Sequence, residues 1–183
     1  MRYRILAGAI VVLAVEAYLW WRYALLGAQL HFWLHLMHGM AFGLGTWTVA
    51  RLVVNRSLDA AVHREAAASA AFGGHLFAAM PDLLFIAGGV VHMRWMDVFA
   101  VHIRGHMIPG ALWVSVGMVG LATAGWVAMT ADRSRSAWAF ISALVLTVAI
   151  SLIIAPPIPD TLEEVRELAD GGLWCPLLLP DQQ

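Results

Sequence analysis

The residues with the most chemistry in this 183-residue chain are His31, His35 and His38, set in His31-Phe32-Trp33-Leu34-His35-Leu36-Met37-His38-Gly39. On a helix these imidazoles fall within about 60° of arc on one face. The run around them reads as a membrane span, where ionisable groups are costly and turn toward protein or a wet cavity. Two more polar clusters follow: Asp82 after Pro81, and His102 with His106, four residues apart. His75, seven residues before Asp82, comes onto the same helix face. Imidazole and carboxylate at helical spacing are the donors that a first-row divalent ion takes. A catalytic zinc takes three such ligands and keeps a position for water. The candidate metal ligands are therefore His31, His35, His38, His75, Asp82, His102 and His106. Asp82 is also the candidate catalytic residue, as general base toward a metal-activated water.

The elements that must position these groups are apolar helices. Hydrophobic residues make up 61% of the chain and charged ones only 13%, and several runs reach the ~20 residues needed to cross a bilayer. The expected fold class is all-α: a polytopic membrane protein of about five transmembrane helices. A net charge of −1 gives no reason to invoke nucleic acid. The single cysteine, Cys175, excludes an intrachain disulfide and any multi-cysteine metal site.

The first span runs from about Ile5 to Leu26, with Trp20-Trp21 as an interfacial belt and Glu16 deep enough to need a partner. The second, about Gln29 to Val54, carries the three histidines and then Gly39, Gly43 and Gly45, small residues that let another helix approach closely. Ser57 is a candidate N-cap for a third span beginning near Ala66. Pro81 predicts a break in that span, because proline lacks the amide donor and crowds the preceding turn. Residues 92–107 read as an interfacial segment in which Asp97 can pair with Arg94. Pro109 is placed to start the fourth span, which runs to about Thr130, and Ala137 to Ala155 forms the fifth. One transmembrane domain thus covers residues 1–159. A tail over 160–183 opens on Asp160-Thr161-Leu162-Glu163, a capping-box pattern for a short acidic helix.

With the N-terminus cytoplasmic and the C-terminus outside, seven arginines fall on inner segments and four on outer ones, which favours that orientation. The second span then enters from outside, the third leaves toward the outside and the fourth begins there. The three polar clusters consequently meet in the outer half of the bundle.

At these residues the chain resembles the LexA-regulated, membrane-bound metal-dependent hydrolases of the YdjM type. The resemblance is carried by His35-x-x-x-Gly39, then Pro81-Asp82, then His102-x-Arg104-Gly105-His106-x-Ile108-Pro109, over residues 31–115. It singles out His35, Asp82, His102 and His106, and it implies a hydrolase of a bacterial inner membrane. The chain departs from the family pattern at Leu84, where the family has a second aspartate. Its late histidines also stand four positions apart rather than five, with Gly105-His106-Met107 in place of Thr-His-Ser.

The expected function is an integral-membrane hydrolase holding a divalent ion, zinc by donor type, and acting on a lipid-derived or envelope substrate. The alternatives are a haem- or metal-binding redox module, and a non-catalytic membrane subunit whose histidines join helices.

Overall fold

A computed structural model describes residues 2–25, 29–54, 60–88, 94–102 and 104–155. The acidic tail, Ser57 and His92 lie outside the described residues, as do the side chains of Arg94 and His106. Among the described residues the protein is all-helical. Five long helices are α1 (Arg2–Leu25), α2 (Gln29–Val54), α3 (Ala60–Gly88), α5 (Ala111–Thr130) and α6 (Ser134–Ile154). Between α3 and α5 lie a 3-10 turn, Arg94–Val98, and a four-residue helix, α4 (Arg104–Met107). Helices α5 and α6 are long and apolar enough to cross a membrane, with mean hydropathies of 1.6 and 2.5.

The bundle is organised around α2, which packs along α3 on one side and α5 on the other, while α5 also packs on α6. Glycine decides the first contact. A Cβ on Gly39 would lie 2.4 Å from the carbonyl oxygen of Gly74, and one on Gly74 would lie 2.1 Å from that of Gly39. Gly43 meets the Ala70 carbonyl in the same way. Backbone therefore touches backbone, as small residues four apart permit. On the other side Ala41, Met118, Ala122 and Leu144 bury together.

Helix α3 does not break at Pro81 as the sequence predicts. It runs unbroken from Ala60 to Gly88 with the proline inside it. Proline forfeits a single backbone bond there, and the close seam with α2 about two to three turns earlier holds the helix in line. The fourth long helix starts two residues after Pro109, behind Gly110 at φ 67°. Asp97 pairs with Arg104: its carboxylate accepts from the Arg104 amide at 2.9 Å and lies 3.4 Å from the Arg104 Nε, while the side chain of the expected partner, Arg94, lies outside the described residues.

The surface reverses the usual pattern. Leu13, Trp113, Val145, Leu146 and Ile153 are exposed, while His31, His35, His38, His75, Asp82, His102 and Ser115 are buried.

Candidate metal centre

Four side chains converge at one point: His31 and His35 from α2, Asp82 from α3, and His102 from the loop before α4. Their ligand atoms all lie within 4.8 Å of one another. His31 and His35, one turn apart, face the same way, and their Nε2 atoms are 2.8 Å apart. Asp82 is completely buried, and its carboxylate reaches all three rings. Its Oδ2 is 2.9 Å from His35 Nε2, and its Oδ1 is 3.4 Å from His31 Nε2 and 3.2 Å from His102 Nε2. A tetrahedral ion with bonds of ~2.0–2.1 Å holds its ligands about 3.3 Å apart. The group thus has the donors, the spacing and the dryness to hold a metal ion.

The loop that delivers His102 is bent for the purpose. Ala100 and Val101 stand at φ 53° and 61°, in the left-handed region that a β-branched residue rarely adopts. The bend is pinned by amide bonds from Val101 to the Asp97 carbonyl and from Gly105 to the Val101 carbonyl, both 2.8 Å. His102 then stacks on His35, with ring planes 5° apart and centroids 4.1 Å apart.

A backbone oxygen of α3 aims the ring. The Ala78 carbonyl, one turn before Asp82, lies 2.8 Å from His102 Nδ1. A carbonyl only accepts, so Nδ1 carries the proton and donates it. A neutral His102 then turns the bare lone pair of Nε2 toward a carboxylate oxygen, acceptor against acceptor. A cation between them, or a second proton on the ring, resolves that clash. Orienting a ligand histidine through its other nitrogen is how metal sites fix tautomer and direction.

Tyr23 of α1, 1% exposed, donates its hydroxyl to Asp82 Oδ2 and lies against the His31 ring. Sequence reasoning missed it. Its signal was the face of Glu16: seven residues on, Tyr23 turns the same way, while the adjoining Trp20-Trp21 drew attention to a membrane belt.

Two expected ligands do not join the group. His38 shares the face of His31 but lies two turns, about 10.5 Å, further along α2. It sits 2.8 Å from the Ser115 hydroxyl on α5, with Gly105 against its ring. His75 lies two turns before Asp82 and pairs with Glu16 of α1, Nε2 to Oε2 at 2.8 Å. Both are on the expected face at the wrong depth. His106 belongs to α4, and its side chain lies outside the described residues.

A scan against protein-family models and searches of curated proteins and of solved structures find no match to this chain.

Proposed function

We propose that this protein is an integral-membrane, metal-dependent hydrolase, with all five long helices spanning the bilayer. The reading rests first on the opposition of His102 Nε2 and Asp82 Oδ1 inside a ring of three imidazoles. Its membrane setting is supported by α5 and α6, by the apolar outer surface, and by the burial of nearly all the histidine chemistry.

His31, His35 and His102 supply three nitrogen ligands, and Asp82 stands on the fourth side. Zinc is the ion that best suits three imidazoles with one position left for water, and Asp82 would stand beside that position as the base. A bound zinc ion supplies Lewis acidity: it lowers the pKa of a water toward ~7 and polarises a carbonyl or phosphoryl oxygen. The chain's own residues do the rest. Asp82 accepts the proton of the attacking water, Tyr23 holds one carboxylate oxygen, and the Ala78 carbonyl keeps His102 aimed. The motif resemblance at His35, Pro81-Asp82 and His102-x-Arg104-Gly105-His106 adds to the hydrolase reading, and the membrane setting favours a lipid-derived or envelope substrate. The stacked His35 and His102 rings, 4.1 Å apart, leave no plane between them for a porphyrin, which disfavours a haem module.

The test is turnover by metal-loaded protein in lipid vesicles against acyl esters, amides and phosphoesters. Asp82→Asn is expected to keep bound metal and lose at least about a hundredfold in rate. Full activity in Asp82→Asn, or a Soret band in the purified protein, would overturn the reading.

A further inference from the structure

The His/Asp centre is walled in. Asp82 is 0% exposed, His35 and His102 are each 1% exposed, and a substrate reaches them only by moving a wall. The walls are unequal. Helix α2 is clamped to α3 through Gly39, Gly43 and Gly74, and it packs along α5. Helix α1 packs sparsely on α2, and its backbone stands off α3, with side chains filling the gap.

Those side chains form two polar rungs. Glu16 meets His75 at 2.8 Å, and Tyr23 meets Asp82. Each rung joins residues 59 apart in sequence, so the two helices run parallel and the rungs repeat at the same register. They are separated by two turns, about 10.5 Å. Between them Leu19 packs on Ala79, with Val15, Phe32, Leu83 and Phe85 partly buried around the seam. The Glu16–His75 rung is incompletely satisfied: Glu16 Oε1 and His75 Nδ1 are buried without a hydrogen-bond partner. Such atoms carry a desolvation cost that a permanent joint has reason to avoid, and opening the seam relieves it.

We propose that α1 is a lateral gate, with the Glu16–His75 pair as its latch. A substrate carrying an acyl chain enters from the bilayer between α1 and α3. This rests on the hydrolase reading above and gives it a substrate class. The chain lies along Val15, Leu19, Phe32, Leu83 and Phe85, and the head group arrives beside Tyr23 and Asp82. Parting α1 from α3 also breaks the Tyr23 bond to Asp82, so entry and release of the carboxylate are one motion.

The experiment uses the full chain loaded with cobalt(II) in phosphatidylcholine vesicles, where visible absorption bands report the ion's surroundings. Dodecanohydroxamic acid, a metal-binding head on an acyl chain, is added at a fixed fraction of the lipid, and the rate of band change is followed. Glu16→Gln removes the charge-assisted rung and is expected to raise that rate about tenfold. A second variant carries Leu19→Cys and Ala79→Cys with Cys175→Ser. Before treatment with dibromobimane it reacts at a measurable rate, and after crosslinking it is expected to react at least about tenfold more slowly with its cobalt bands unchanged. Should Glu16→Gln fail to fold, the crosslinked pair decides alone. Cobalt bands present with the same rate before and after crosslinking, or with Glu16→Gln at the wild-type rate, overturn the gate alone. A wild type without cobalt bands overturns the metal reading and the gate with it.

Discussion

His102 is fixed between two oxygens of α3: Nδ1 donates to the Ala78 carbonyl at 2.8 Å, and Nε2 stands 3.2 Å from Asp82 Oδ1. The two oxygens are one turn apart, on either side of Pro81. The proline that marks this helix in the sequence therefore lies between the carbonyl that aims the ring and the carboxylate that the ring faces. A divalent ion held here meets an imidazole already turned toward it.

Tyr23 acts through its hydrogen bond to Asp82, which makes it a positioning residue. Tyr23→Phe keeps the ring against His31 and removes only the hydroxyl. Turnover is expected to fall about tenfold, less than in Asp82→Asn, with the fold and the bound metal intact as checked by competition with a chromophoric chelator. Unchanged turnover would show that the Asp82 carboxylate needs no such support.

Two glycines one residue apart should answer differently to the same change. Gly74→Ala places a methyl 2.1 Å from the Gly39 carbonyl oxygen, whereas a Cβ on Gly73 meets nothing within 4 Å. Gly74→Ala is expected to lose about 1–3 kcal/mol or more by forcing α2 and α3 apart. Gly73→Ala is expected to be neutral or stabilising by up to about 1 kcal/mol through helix propensity. Thermal unfolding in detergent micelles measures both, and equal losses would contradict the close seam.

Acid should strip the metal. Imidazole binds metal only in its neutral form, so protons compete with the ion for the ring nitrogens of His31, His35 and His102. Affinity, and the thermal stabilisation that metal confers, are expected to decline as the pH falls. A titration of bound metal downward from about pH 8 checks the sign. Metal retained unchanged down to the pH at which the metal-free protein unfolds would contradict three imidazole ligands.

The five long helices were legible because the apolar runs are long and their boundaries carry arginine, glycine or proline. His31, His35, Asp82 and His102 were legible as well: spacing put the histidines on one face, and alternating span direction brought Asp82 and His102 to the same end. Depth along a helix was harder to read. His38 and His75 share the right faces, but their partners, Ser115 and Glu16, lie 77 and 59 residues away, and no local pattern announces such pairs. Pro81 misled because a local rule gives the cost of a lost backbone bond and not the glycine seam that keeps α3 in line. Tyr23 was hidden for a related reason: its role comes from a tertiary hydrogen bond, and its neighbours Trp20 and Trp21 point elsewhere.

The central claim is that His31, His35 and His102 hold one divalent ion beside the Asp82 carboxylate. Inductively coupled plasma analysis of purified wild type and His102→Ala tests it most directly. The wild type is expected to carry about one equivalent of zinc and the variant less than about a tenth, with both proteins folded. A folded wild type with no transition metal after incubation with zinc, or a variant that retains as much as the wild type, would contradict it.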